Sequence, residues 1–238
     1  MFPVYRVSEG VENLEHNYKT FEHCLEIFKQ DGIVLIFSEG RCINEWHLRP
    51  LKKGTARLAL SAWAKGIPLQ VLPTGINYSS FDTFGKNVFL NFGAPISAKD
   101  IDTENSFGKS VLDFNEQLNS QLQQLVFEMD KKDEKTIKQK FFVEQPLVKK
   151  IILVIPAAAG WLVHFPLYYP IKKIIWAKVK DNDHYDSVMT GLLFILYPFY
   201  LLLVGLLLHF FTGGWWWVLT FIVTPFCAWS YVQLKKQF

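Results

Sequence analysis

Val188 to Phe211 is a run of 24 residues without a formally charged side chain. About 20 apolar residues suffice to cross the hydrocarbon of a bilayer, so this run commits the chain to a membrane. After Thr212-Gly213-Gly214 a second uncharged segment follows, Trp215 to Val232. It carries Trp215, Trp216 and Trp217 at its start and Trp229 and Tyr231 near its end, where two interfacial aromatic belts belong. The two segments read as a tight transmembrane hairpin. Lys172, Lys173, Lys178 and Lys180 precede it and Lys235 and Lys236 follow it, so the positive-inside bias places both ends in the cytoplasm. Ile151 to Ile171 is also apolar, but Pro156, Pro166, Pro170 and His164 interrupt it and lysine pairs flank it. That pattern predicts an interfacial or re-entrant segment over 147–187 rather than a third span.

Composition sharpens the division. Half of the 238 residues are hydrophobic and 16% are aromatic, more than a soluble domain needs. Residues 1–146 carry a net charge of −2 and residues 147–238 a net charge of +5. The near-neutral front half argues against nucleic-acid binding, and the basic, apolar back half points to membrane lipids as partners. Cys24, Cys42 and Cys227 are scattered, with no C-x-x-C pair, and read as reduced or buried thiols. The opening residues lack the basic and long apolar regions of a signal peptide.

Along the front half, helical and strand periodicities alternate. Phe2 to Tyr5 is a strand candidate, and Asn17 to Gln30 places Phe21, Cys24, Leu25 and Phe28 at helical spacing. Val34 to Phe37 is a short apolar run with the character of a buried strand, followed by a helix over Gly54 to Lys65 and a strand over Ile67 to Leu72. Val88, Leu90 and Phe92 alternate as a half-buried strand, and Ser106 to Met129 carries an apolar stripe from Val111 to Met129. The order predicts an α/β domain over 1–130, a mixed sheet with flanking helices. A charged linker over 131–146 and the membrane hairpin over 188–238 follow. A chain that enters such a domain at a buried strand is expected to have lost earlier elements.

The residues that carry chemistry follow the strand at Val34. It breaks into Ser38-Glu39-Gly40-Arg41, delivering a carboxylate and a guanidinium to the carboxyl edge of a sheet, where open α/β folds bind ligands. Arg49, Lys52, Lys53 and Arg57 follow, with His47 and Thr55 beside them. A phosphate suits that loop.

Phe37-Ser38-Glu39-Gly40-Arg41-Cys42 and the following Lys52-Lys53-Gly54-Thr55-Ala56-Arg57 resemble the F-P-E-G-T-R block of the glycerol-phosphate and lysophosphatidate acyltransferase superfamily. Phe2-Pro3-Val4-Tyr5-Arg6 is similar to the preceding block, and Val71-Leu72-Pro73-Thr74-Gly75-Ile76-Asn77 and Asn91-Phe92-Gly93-Ala94-Pro95 to later ones. Ser38 stands where the family has proline, and Arg41 where it has threonine with the arginine one position later. The resemblance covers residues 1–130 and implies that Arg6, Glu39, Gly40 and Arg41 bind a glycerol-phosphate acceptor, while Pro73 shapes the acyl-donor side. It implies an O-acyltransferase of phospholipid biosynthesis. Its co-substrate would be acyl-CoA or acyl carrier protein, with no further cofactor and no metal. The acceptor would be lysophosphatidate or glycerol 3-phosphate. The family's H-x-x-x-x-D block, whose histidine deprotonates the acceptor, is missing, because none of the 6 histidines is followed five positions on by an aspartate. No catalytic residue is therefore assigned.

Blander readings compete at each position. Arg6 suits an exposed strand end, and Glu39 and Arg41 could merely pair with each other on the surface, a contact worth little. His47 is a lone loop histidine, and Cys42 has no base beside it. A catalytically inactive protein that binds lipid phosphate, or a membrane scaffold, are the rival functions.

Overall fold

A computed structural model describes residues 14–41, 43–102, 106–179 and 184–235. The chain divides into two compact units, residues 1–42, 46–77 and 89–128 in the first, and residues 43–45, 78–88 and 129–238 in the second.

In the first unit three helices and a hairpin build one core. Helix α1 (Leu14–Lys29) packs Cys24 and Leu25 against Leu58 and Ala62 of α2 (Gly54–Ala64). Burial there pushes the Cys24 thiol above its ordinary pKa, as expected of a packed rather than a reactive cysteine. The opposite face of α2, with Ala56, Ala59, Leu60 and Trp63, meets Val111, Phe114, Leu118 and Leu122 of α3 (Phe107–Leu125). Trp63 anchors that seam. Its ring lies 5.9 Å from Phe114, and its indole N–H donates to the Leu69 carbonyl at 2.8 Å.

Strands β1 (Thr74–Tyr78) and β2 (Val88–Phe92) form a two-stranded sheet. The pairing is extended by an antiparallel bridge between Val71 and Ile96, with N–H to carbonyl distances of 2.8 Å both ways. The end of α3 is drawn hard onto this hairpin. A Cβ at Gly75 would lie 2.6 Å from the Leu125 carbonyl oxygen, and one at Gly93 would lie 2.5 Å from Gln121 Oε1. Asn77, 1% exposed, spends its whole carboxamide on the same junction: Nδ2 donates to Leu125 O at 2.9 Å and Oδ1 accepts Phe127 N–H at 2.7 Å.

Two expectations change here. Val34 to Phe37 is extended but joins no ladder among the described residues, and Leu35 and Phe37 are exposed. The strand candidate at residues 2–5 lies outside the described residues. Of the strand expected over Ile67 to Leu72, only Val71 pairs, because Pro68 and Pro73 interrupt the donors a ladder needs. In β2 the alternation holds, with Val88, Leu90 and Phe92 facing outward. Phe89 instead packs against Phe127 at 6.1 Å, and Asn91 donates to Leu125 O at 2.7 Å. The α/β class stands, with helices outweighing a small sheet.

The second unit is helical. Within the charged segment, α4 (Glu134–Phe141) starts at Asp133, whose carboxylate accepts Thr136 N–H at 3.1 Å. Helices α5 (Leu147–Lys178) and α6 (Tyr185–Thr212) and the stretch Trp215–Lys235 are each long and apolar enough to cross a membrane. The last begins as a 3-10 turn and continues as α7 (Thr220–Lys235). Gly213, at φ 62°, ends α6 in a left-handed cap, the conformation glycine adopts without cost. Small residues let the helices touch, as in membrane bundles generally. A Cβ on Gly160 of α5 would lie 2.1 Å from the Cys227 carbonyl of α7, and one on Gly205 of α6 would lie 3.1 Å from Thr220 Oγ1.

Helix α5 is bent. Lys149 Nζ donates to Gln233 Oε1 at 3.2 Å, and Lys235 Nζ lies 5.6 Å from the Tyr168 ring centroid. Lys149 and Tyr168 are separated by about 28 Å along a straight helix, Gln233 and Lys235 by about 3 Å. In a straight helix crossing α7 at Gly160, turning Lys149 toward the end of α7 would carry Tyr168 away from it. A bend in α5 brings both side chains toward that end. Pro156 precedes the Gly160 contact and Pro166 and Pro170 follow it, each removing a backbone donor and crowding the previous turn.

The Asn77 junction is directly testable. Asn77→Ala removes both carboxamide bonds, with Leu125 O still accepting Asn91 Nδ2 and the Phe127 N–H losing its Asn77 acceptor, and is expected to cost about 1–3 kcal/mol. The measurement is thermal unfolding of the detergent-solubilised chain by tryptophan fluorescence, and an unchanged midpoint would remove the junction from the stabilising contacts.

Candidate functional site

The site grows from the turn that ends the extended segment. Gly40 N–H donates to Phe37 O at 3.1 Å, closing the turn, and Gly40 takes φ 69°, a conformation that costs other residues steric strain. The following loop returns across it. Lys52 N–H donates to Ser38 O at 2.7 Å, and the Ser38 and Thr55 hydroxyls share a hydrogen bond of 2.8 Å. Thr55 belongs to the first turn of α2. The E-G-R turn is therefore tied to the amino end of a helix, whose leading N–H groups and dipole favour an anion.

Charge is arranged around that end. Glu39 is half-buried, and its Oε1 accepts the Arg49 backbone N–H at 3.3 Å. This contact replaces the surface pairing with Arg41 that the sequence allows, and it clamps the two loop arms together. Arg41, Lys52, Lys53 and Arg57 are exposed. The arrangement is one carboxylate engaged with backbone, several exposed cationic side chains, and a helix start with no acidic residue in its first turn. Such a set favours an anion by charge, and a guanidinium is the side chain that can pair with two of its oxygens.

The remaining predicted residues fall elsewhere. Arg6 and Cys42 lie outside the described residues. Pro73 is fully buried at the foot of β1, and its carbonyl accepts Gly93 N–H at 2.9 Å. It thus sits in the hairpin's interior. His47 is exposed. Sequence reading overlooked Asn77 and Gly75, which it took only as part of a family block. A polar residue with perfect strand placement next to Gly75 was the available signal.

Gly40→Ala tests the turn. A Cβ there would lie 3.2 Å from Lys52 Cγ, and the left-handed backbone adds about 1–2 kcal/mol of strain. A lowered thermal midpoint is expected, together with weaker phosphate-ester binding measured by calorimetry. A midpoint equal to the parent's would show that the turn tolerates a side chain.

Residues 1–77 match the family model described as Acyltransferase. Glycerol-3-phosphate O-acyltransferase 2 of Saccharomyces cerevisiae is 31% identical over 94 residues, which are 39% of this chain and 12% of that protein. The match therefore spans a small part of the relative's length. No solved structure matches the chain. The family model ends at Asn77 and so takes in the E-G-R turn, the start of α2 and β1 almost to its end: over residues 1–77 this chain is similar to that acyltransferase family.

Proposed function

We propose that the chain belongs to a membrane-bound glycerolipid O-acyltransferase and supplies its acceptor-binding turn and its membrane anchor. In the reaction the acceptor hydroxyl attacks the carbonyl of an acyl thioester. The resulting oxyanion collapses and expels the thiol of coenzyme A or acyl carrier protein, and the acceptor leaves as an ester. The carrying observation is the Glu39-Gly40-Arg41 turn folded onto the start of α2 within the segment that matches the family. Arg41 would hold the phosphate of lysophosphatidate or glycerol 3-phosphate, joined by Arg6 if the family's role carries over. Glu39, fixed by Arg49 N–H, would set the height of the loop and could accept from a glycerol hydroxyl. Gly40 lets the acceptor approach the backbone closely, and Pro73 supports β1 from within.

The base that deprotonates the acceptor is not assigned, since no histidine here has the family's spacing to an aspartate. That observation favours a second reading, a lipid-phosphate binder without turnover. Binding and turnover separate the two. In mixed micelles the chain is expected to bind lysophosphatidate, and Arg41→Ala to weaken it by roughly tenfold, one bidentate charge-assisted contact. Retained affinity in Arg41→Ala and Glu39→Ala would sink both readings in favour of a scaffold. Ester formation from acyl-CoA or acyl carrier protein, followed with labelled acceptor, would support the enzyme over the silent binder.

The bend in α5 supports a re-entrant course in which Lys149, Lys178 and Lys235 all face the cytoplasm and only the turn after α6 reaches the other side. Single cysteines at Lys149 and Lys178 should then react with an impermeant maleimide from the cytoplasmic side, and one at Thr212 from the opposite side. Labelling of Lys149→Cys and Lys178→Cys from opposite sides would make α5 a span.

A further inference from the structure

At the end of α7 the second unit has a recess of about 290 Å³, lined by Ser79, Lys86, Lys138, Phe141, Phe142 and Lys235 among others. Its cations are not equivalent. Lys86, with its side chain 9% exposed, is neutralised by Asp186 at 2.5 Å and lies 5.7 Å from the Tyr78 ring centroid. Lys138 and Lys235 have no carboxylate partner among the described residues. Lys235 leans on the rings of Tyr168 and Tyr231 at 5.6 and 5.8 Å, which holds its ammonium in place without cancelling its charge.

The loop that floors the recess is internally braced. Ser80 donates to Asp82 at 2.6 Å and Thr83 donates to Ser80, so those two hydroxyl protons are spent. Ser79 differs: its oxygen accepts Asn87 N–H at 2.9 Å, which leaves its own proton to donate. One hydroxyl donor and two unneutralised ammonium groups thus share one small recess. Phe141 is buried and Phe142 is 57% exposed, and they supply an apolar wall beside the cations. Lys235 closes the last helix of apolar composition, so the recess lies where that helix leaves hydrocarbon.

We propose that this recess binds the phosphate of an anionic membrane phospholipid, with Lys138 and Lys235 on its oxygens, the Ser79 hydroxyl as a third donor, and the upper acyl chain against Phe142. A free phosphate would satisfy the cations and leave the aromatic wall without purpose. A lipid uses both. The site is separate from the E-G-R turn and does not depend on acyl transfer.

Native mass spectrometry of the full chain in detergent tests this, with dioleoylphosphatidylglycerol and dioleoylphosphatidylcholine as competing probes. The parent is expected to retain phosphatidylglycerol roughly tenfold better, the scale of two lysines at an anionic surface. The Lys138→Gln/Lys235→Gln pair should lose that preference, and Lys131→Gln/Lys132→Gln, with the same charge change outside the recess, should keep it. Survival of the preference in the first pair, or equal loss in both, would overturn the proposal. Displacement of the lipid by excess inorganic phosphate at constant ionic strength would also overturn it, marking a free-phosphate site.

Discussion

The first unit depends on the contact between the end of α3 and the β1–β2 hairpin. Two glycines remove the side chains that would hold them apart, and the Asn77 carboxamide replaces water at both backbone groups it meets. A buried amide is costly without partners and specific when fully paired. Once α3 is set, its other face fixes α2 through Trp63 and Phe114. Helix α2 in turn holds the E-G-R turn through Thr55 and Ser38. The chemistry is therefore positioned by a relay of packing that begins some distance along the chain from it.

That relay explains what could be read from the residues and what could not. The helices were legible because their apolar stripes repeat every three or four positions, and Leu118 and Leu122 of α3 face the core as the stripe predicts. The E-G-R segment was legible as a chain reversal, because a glycine between charged residues after an apolar run marks a turn, and Gly40 takes the left-handed backbone that turn needs. Strand pairing was not. Val34 to Phe37 looks like a buried strand because burial of such residues is the usual outcome, but a ladder needs a neighbour that single-strand patterns do not specify. In β2 both faces offer large side chains, so periodicity alone could not say that Phe89 and Asn91 turn inward.

In the second unit the uncharged runs located α6 and α7 to within a few residues, since charge cost in hydrocarbon leaves little freedom. The prolines of α5 signalled an interruption, yet they did not break the helix. Membrane helices tolerate proline because neighbouring groups take up the freed carbonyls. Near Pro166, Tyr200 donates to Val163 O, and His164 bridges Gly160 O at 2.8 Å and the Tyr197 hydroxyl at 3.1 Å, so polar side chains tie this stretch of α5 to its neighbours. Sequence composition can flag the prolines but not the tyrosines that hydrogen-bond to this stretch of α5.

The glycine pair after Thr212 has a consequence for biogenesis. The connection between α6 and the tryptophan turn, Thr212-Gly213-Gly214, contains no ionisable group. Insertion of the hairpin then drags no charge through the lipid. Such a pair can enter the bilayer in one concerted step from the side of synthesis, without translocating a domain.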